Sequence, residues 1–342
     1  MRLISTASAD GTATNAARTA AWETAIARAL DSQQWQLILL PTEQCNFRCT
    51  YCYESFKNRK MSAETVAAIK RLIAKRLPEL KSFNIQWFGG EPLLAISVIR
   101  EIGQWVLDQL TPDTDYVSSM TTNGALLNTA CLEELTRLKI KYYQISLDGW
   151  RDGHDQTRLR KGGGATFDTI WHNLIAAQRS NLDFLITLRV HFGPHNLASV
   201  KQLLCEISRA FGVDSRFKVF LKEIGHYGGA QDEAIKVYDA AEAVHIRQNL
   251  NALITMAQPP LKLSPSSPYM CYAAKPNSLI IRSTGRIAKC TVALESDAND
   301  VGFLDAQGEL NFDQSKLSNW FAGIGTGNKQ LLSCPWSALK ES

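Results

Sequence analysis

An alternation of two periodicities constrains this chain more than any other feature. Six short apolar runs, at 36–40, 84–88, 116–121, 142–147, 184–190 and 216–221, are each followed by apolar residues recurring at helical spacing. In 62–77, Val66, Ile69, Leu72 and Ile73 fall on one face, Ser62 is placed to cap the start, and Pro78 ends the run. Further helical patterns cover 96–110, 129–138, 167–179 and 197–211; 232–257 reads as one long helix and 12–30 as an N-terminal one. Strand–helix repetition predicts a parallel sheet with right-handed crossovers. Six units are too few for a closed eight-stranded barrel, so the expected class is α/β, a partial (β/α)6 TIM-like barrel.

The pattern changes after 257. Residues 259–268 hold four prolines and three serines in ten positions, which reads as a linker. Beyond it, 278–282 and 286–290 flank Ser283-Thr284-Gly285, a hairpin signal. The expected division is therefore an N-terminal extension (1–34), the barrel (35–257), a linker (258–268) and a small C-terminal α+β domain (269–342). Lys and Arg total 37 against 33 acidic residues, a net +4 too weak to argue for nucleic acid or an acidic membrane surface. The sequence has no apolar stretch long enough to span a bilayer, and its start lacks the apolar core of a secretion signal. A cytoplasmic protein is expected, whose eight cysteines are reduced thiols, metal ligands or catalysts rather than disulfides.

Three of those cysteines, Cys45, Cys49 and Cys52, cluster in a loop where the first strand ends. Three thiolates on one tight loop cannot complete a tetrahedral zinc site unless a distant fourth ligand joins them. They suit three corners of a [4Fe–4S] cube whose fourth iron stays open.

The spacing Cys45-x3-Cys49-x-Tyr51-Cys52 after the first strand resembles the radical S-adenosylmethionine (radical SAM) superfamily. Phe88-Gly89-Gly90-Glu91-Pro92 after the second strand is similar to that family's GGE motif, and Thr122-Asn123-Gly124 follows the third. Ile145-Ser146-Leu147-Asp148-Gly149, with His154, Asp155 and Arg158 beyond it, is similar to the peptide-modifying subgroup. The resemblance implies that S-adenosylmethionine binds the open iron and is cleaved to a 5′-deoxyadenosyl radical. It also implies a set of cofactor contacts: Tyr51 beside the cofactor, Gly89, Gly90 and Glu91 near its ammonium, Asn123, Ser146 on the ribose, and Arg158 on the carboxylate. Arg189 is a second candidate for that carboxylate, because a guanidinium inside a parallel barrel needs an anion.

Cys271-x13-Gly285-x4-Cys290 resembles the opening of the SPASM and twitch auxiliary-cluster domains, with Gly285 turning the hairpin so that Cys290 returns towards Cys271. A full SPASM domain continues with five more cysteines; here only Cys334 follows. Two auxiliary clusters are excluded by ligand count, and Cys271, Cys290 and Cys334 are expected to hold one [4Fe–4S] cluster in an auxiliary iron–sulfur domain. The native chain could continue beyond Ser342.

The resemblance implies an oxidoreductase that matures a ribosomally made precursor peptide, most closely the cross-linking, cyclophane-forming enzymes. A small-molecule radical dehydrogenase and a protein-residue oxidase of the anaerobic sulfatase-maturating kind are the alternatives. Only 44 residues precede Cys45, so leader recognition is expected to use another surface or a separate leader-binding protein. Flavodoxin or ferredoxin is the expected electron donor, with neither nucleic acid nor membrane as a partner. Asp148, Glu223 and His226 are the candidate catalytic side chains, the last two following the sixth strand with Tyr227. Other features have plainer readings. His191 and His195 are loop histidines around Pro194, and 161–166 is a flexible loop over the active site. Cys131 and Cys205 are buried small hydrophobes on helices, and Trp87 and Trp105 belong to the core.

Overall fold

The computed structural model describes residues 9–229, 232–257 and 269–340, and the expected linker at 258–268 lies outside them. Each of the six expected strands is present: β1 (Gln34–Leu39), β2 (Ser82–Trp87), β3 (Asp115–Thr122), β4 (Ile140–Leu147), β5 (Leu185–Phe192) and β6 (Phe217–Glu223). They pair in that order, all parallel. The crossovers are the helices α2 (Ala63–Arg76), α3 (Ile96–Gln109), α4 (Thr129–Arg137), α5 (Phe167–Arg179) and α6 (Leu197–Phe211), in the positions their periodicity indicated. Ser62 caps α2 by accepting from the Thr65 N–H at 3.1 Å. On β2 and β5 alternate residues are buried, and the buried set packs against the helices in one apolar core with α6 residues such as Val200, Leu203 and Ile207. The opposite faces of β4, β5 and β6 carry Ser146, Arg189 and Phe220, which lie opposite one another in register. The result is an open α/β sheet of the partial TIM-barrel kind.

Four more strands extend that sheet beyond β1. β7 (Ser278–Ile281) runs parallel to β1, then β8 (Arg286–Ala288), β9 (Gly302–Leu304) and β10 (Leu310–Phe312) follow antiparallel. The ten strands stand in the order β10-β9-β8-β7-β1-β2-β3-β4-β5-β6. Gly285 turns the β7–β8 hairpin at φ +81°, a conformation that favours glycine.

The segment expected to be one long helix over 232–257 differs: only α7 (Ala240–Asn251) and a short turn at Asp232–Ala234 are helical. Asp239 explains the late start. Its side chain accepts from the Glu242 N–H while the Glu242 carboxylate accepts from the Asp239 N–H, a capping box that fixes the first turn there. The N-terminal helix, α1 (Ala9–Leu30), places Trp22, Ile26 and Ala29 against Met270, Ala274, Leu332 and Ile324. Cys205, expected to be buried, is exposed on α6; Cys131 is half-buried on α4. No helix among the described residues is long and apolar enough to cross a membrane.

Candidate active site

The three-cysteine loop leaves β1 at the C-terminal edge of the sheet, and its shape depends on the glycines after β2. Gly89 has φ +115°, and a Cβ there would stand 2.3 Å from the Thr42 carbonyl oxygen; at Gly90 it would stand 2.5 Å from that of Gln44. Only glycine lets these two loops lie against each other. The Glu91 N–H completes the join by donating to the Gln44 carbonyl at 2.9 Å. The Glu91 carboxylate is fully buried and turned towards the end of β3. It accepts from the Thr122 hydroxyl at 2.8 Å, the Asn123 N–H at 2.7 Å and the Leu93 N–H at 3.0 Å. Asn123 in turn donates to the Asn46 side chain at 2.7 Å and points towards the Cys45 sulfur at 3.9 Å.

A two-stranded ribbon holds the other side of the loop. Phe47–Cys49 pairs antiparallel with Arg158–Arg160, and the Lys161 N–H donates to the Asn46 carbonyl at 2.7 Å. The glycine loop at 162–164 therefore follows directly from the ribbon behind the cysteines, all three residues at positive φ with open space around them. Asp155 caps α5 in place of Thr166, accepting from the Thr166 and Phe167 N–H groups at 2.7 and 3.0 Å.

Between the ribbon and β5 lies a buried polar network. The Asp148 carboxylate accepts from the Tyr51 hydroxyl at 2.9 Å, the His191 ring at 3.1 Å and the Thr157 hydroxyl at 2.7 Å, with the Arg158 guanidinium 4.0 Å away. Arg158 also donates to the Tyr51 oxygen at 2.7 Å, while its Nε has no partner. Burial alone would raise the Asp148 pKa, but the Arg158 charge and the His191 bond hold it far below the usual carboxylate range. Burial pushes His191 and His154 down to about 4, so both rings are neutral at pH 7. His191 is thus not a loop histidine: it lies near the end of β5 inside this network, where the strand runs on to Phe192 and Val190, His191 and Phe192 are all buried.

The remaining candidates are dispersed. Ser146 lies on β4 in register with Arg189 on β5. Glu223 is ion-paired to Lys222 at 3.0 Å and to Arg247 of α7. His226 is exposed on the following loop. That loop folds back over the cysteines, so that a Cβ on Gly229 would stand 2.6 Å from the Cys52 carbonyl oxygen, and Tyr227 meets the Tyr53 ring edge-on with centroids 6.1 Å apart. A separate open cavity of about 650 Å³ on the outer face, between α2 and the 306–307 turn, is remote from all these groups.

Two further joins, besides that of Asp148 to His191, went unread in the sequence. Glu43, just before the cysteine loop, accepts from the Arg282 guanidinium at 2.6 Å, the Ser283 hydroxyl at 2.9 Å and the Asn58 side chain at 2.9 Å. Burial opposes its ionisation, but Arg282 and Asn58 outweigh this and lower its pKa. Asn299 accepts from both the Lys289 and Cys290 N–H groups at 2.9 Å and donates to the Cys290 carbonyl at 2.8 Å, shaping the loop that carries Cys290.

Both cysteine sets have the donor chemistry of iron–sulfur ligands. The Phe47 N–H reaches the Cys45 sulfur at 3.3 Å. The Ala273 N–H bonds to Cys271, and the Val292 and Ala293 N–H groups bond to Cys290, each favouring the thiolate. Burial pushes the free thiols of Cys45 and Cys52 up to about 12, so ligation must displace their protons. Burial raises the pKa of both Cys271 and Cys290, and the Cys334 charge adds to the rise. Among the described residues no three His, Cys, Asp or Glu side chains converge on a point that would hold a single metal ion. Three ligands of a cube bind three different irons, so they need no such convergence.

Residues 39–204 match the family model described as Radical SAM superfamily. These residues are a radical SAM domain. The chain is 32% identical over 182 residues to an uncharacterised protein of Methanocaldococcus jannaschii, covering 52% of this chain and 60% of that one. It is 30% identical over 152 residues to the serine-type anaerobic sulfatase-maturating enzyme of Klebsiella aerogenes, covering 43% of this chain and 37% of that one. The chain thus spans less than two thirds of the length of these curated relatives. In structure the radical SAM domain and its extension resemble native anSMEcpe with bound AdoMet and Cp18Cys peptide, with TM-score 0.60, 16% identity and coverage of 82% and 79%. They also resemble Streptococcus suis SuiB bound to precursor peptide SuiA, with TM-score 0.58, 14% identity and coverage of 90% and 69%. At these identities the likeness establishes the fold.

Proposed function

We propose that this protein is a radical SAM enzyme that modifies a ribosomally made precursor peptide, by oxidative cross-linking at an unactivated side-chain carbon. The observation that carries the reading is the cysteine loop itself. It stands at the C-terminal edge of a parallel sheet and is locked by Gly89 and Gly90 on one side and the Arg158 ribbon on the other. Peptide-modifying relatives in sequence and fold support the substrate class. Cys45, Cys49 and Cys52 would hold a [4Fe–4S] cluster, which together with S-adenosylmethionine would supply a radical able to take a hydrogen atom from the substrate.

The chain's own residues hold and shield that chemistry. Gly89 and Gly90 let the backbone approach the cofactor's amino end, and Glu91 and Asn123 fix the loops beside it. Ser146 and Arg158 offer a hydroxyl and a guanidinium, the latter oriented by Asp148 and Tyr51. Cys271, Cys290 and Cys334 would hold one auxiliary [4Fe–4S] cluster, giving a departing electron an exit. An acidic one-electron carrier such as flavodoxin or ferredoxin would feed the reaction in the cytoplasm, and a separate protein could present the leader.

Anaerobic reconstitution with iron, sulfide and a reductant tests the reading. The wild type is expected to release 5′-deoxyadenosine and to hold about eight irons, and the Cys271/Cys290/Cys334 triple Ala variant about four. A Cys45/Cys49/Cys52 triple Ala variant should release none. Release by that variant overturns the radical reading, and a wild-type count near four removes the auxiliary cluster. After co-expression with a candidate precursor peptide, mass spectrometry should show a loss of two hydrogens.

A further inference from the structure

The cysteine loop has other parts of the chain against most of its sides. The glycines after β2 lie on Thr42 and Gln44, the loop after β6 meets the Cys52 carbonyl at Gly229, and Glu43 ties the entrance to Arg282 of the hairpin. The ribbon of Phe47–Cys49 and Arg158–Arg160 forms the remaining side. Past it, a Cβ on Gly162, Gly163 or Gly164 would meet no atom, and Arg160 and Lys161 are exposed.

That side is basic. Residues 46–60 and 158–166, which build it, hold seven Lys and Arg side chains against one acid, Glu54, whose Oε2 is buried. The whole chain stands at 37 to 33, so positive charge is concentrated here. Contacts join the two segments into one surface: Arg48 lies over the Phe56 ring at 4.0 Å, and the Lys161 N–H donates to the Asn46 carbonyl at 2.7 Å. Arg158 is turned inward to Asp148, and Lys57 pairs with Glu295 at 3.3 Å. The others have no carboxylate partner among the described residues. Arg48 donates to the Cys45 and Phe47 carbonyls at 2.8 and 2.6 Å, Arg160 to the Ala165 carbonyl at 3.0 Å, and Lys60 to the Ser97 hydroxyl at 2.6 Å. Arg59 and Lys161 are exposed and make no side-chain bond among the described residues. Close by, Asp168 is held by Arg151 at 2.6 Å and Asp155 caps α5. Like charges gathered on one surface repel one another, and a partner of opposite sign relieves that repulsion.

We propose that the ribbon side of the cysteine loop, with Arg48, Arg59, Arg160 and Lys161, is the docking surface for an acidic one-electron carrier protein. The Arg48 bond to the Cys45 carbonyl sets this surface directly behind the three cysteines. In the docked pair the carrier is oxidised by one electron and the cluster proposed on Cys45, Cys49 and Cys52 is reduced by one; no bond forms or breaks. Complementary charge of this kind acts mainly on encounter, raising association rates by about 10- to 1000-fold at low salt. The assignment rests on the radical reading and deepens it by placing the reductant.

The test follows anaerobic reduction of the reconstituted holoenzyme by reduced flavodoxin in stopped flow, with S-adenosylmethionine present, and binding of the same flavodoxin by titration. An Arg59→Glu/Lys161→Glu variant should take up iron as the wild type does. Photoreduced deazariboflavin, a small uncharged donor, should reduce both at one rate, while flavodoxin should reduce the variant about tenfold or more slowly and bind it more weakly. A control of equal net charge, Arg137→Glu/Arg179→Glu at the C-terminal ends of α4 and α5, should match the wild type. The wild-type rate with flavodoxin should also fall as salt rises, which serves if the patch variant does not fold. An unchanged flavodoxin rate in the patch variant, equal slowing in the control, or a wild-type rate indifferent to salt overturns the proposal. Unchanged flavodoxin kinetics with lost affinity for hexaglutamate also overturns it, giving the surface to an acidic leader segment. If the reconstituted wild type holds no iron, the radical reading fails instead, and the binding titration still decides the docking surface.

Discussion

Asp148 gathers a tyrosine, a threonine, a histidine and an arginine around one buried carboxylate, and they come from three separate stretches of chain. Asp148→Asn leaves Arg158 without its counter-charge in a dry site, a loss of about 3–5 kcal/mol on the scale of broken buried pairs. Urea unfolding of the apoprotein should show it as a lowered midpoint with unchanged slope. The histidines set the acid limit. Each takes its proton near pH 4 in the fold but near 6.5 in the unfolded chain. The unfolded chain therefore binds more protons between those values, and stability falls as pH drops through that window. Asp148 has the opposite sign: its contribution is complete above the unfolded carboxylate value and is lost only as pH falls through its depressed folded value. Roughly 1–2 kcal/mol per histidine should be missing at pH 5 relative to pH 7, and His191→Gln should remove one share of that slope. Equal midpoints at the two pH values would contradict the buried neutral rings.

Among the elements, the loops after β1 and β2 depend on each other through backbone contact. Gly89→Ala combines a left-handed φ with a Cβ 2.3 Å from a carbonyl oxygen, a cost of at least about 2 kcal/mol. Iron content per folded chain should drop with it, because the same displacement moves the segment leading to Cys45; full iron loading of Gly89→Ala would show that the cysteine loop holds its shape alone. Such contacts explain what was legible in the sequence. The six strands and five crossover helices announce themselves because each buries one face with its own period. The cysteine loop and the glycines could be read from spacing because their chemistry tolerates few substitutes. The Glu43–Arg282 and Asp148–His191 joins could not, since they link residues far apart in the chain whose types are ordinary at any surface. Asp239 marks a failure of a different kind: a helical-looking composition over 232–257 hid a cap that only its Glu242 partner reveals.

At the scale of the molecule, Glu43 ties the entrance of the cysteine loop to the hairpin that precedes Cys290. Glu43→Gln should leave the Arg282 charge half-satisfied, lowering stability by about 3 kcal/mol. It should also loosen the 278–290 segment in hydrogen exchange more than β3 or β4, which the barrel alone supports. Uniform loosening of all strands would mean that the pair acts on the whole fold rather than on this junction.

The position of β1 has a consequence for how such a chain is made. One of its neighbours, β2, is the next strand to be synthesised, but the other, β7, comes near the opposite end of the chain. Until β7 leaves the ribosome, the strand that carries the cysteine loop has a bare row of amides and carbonyls along one side, flanked by Leu37, Ile38 and Leu39. A nascent chain halted before residue 278 would expose that edge to its own copies and should collect in aggregates during translation. Adding the missing strand as a separate peptide spanning 269–340 during refolding should rescue solubility, and a peptide with Leu279→Pro, which removes an N–H on the side of β7 that faces β1, should not.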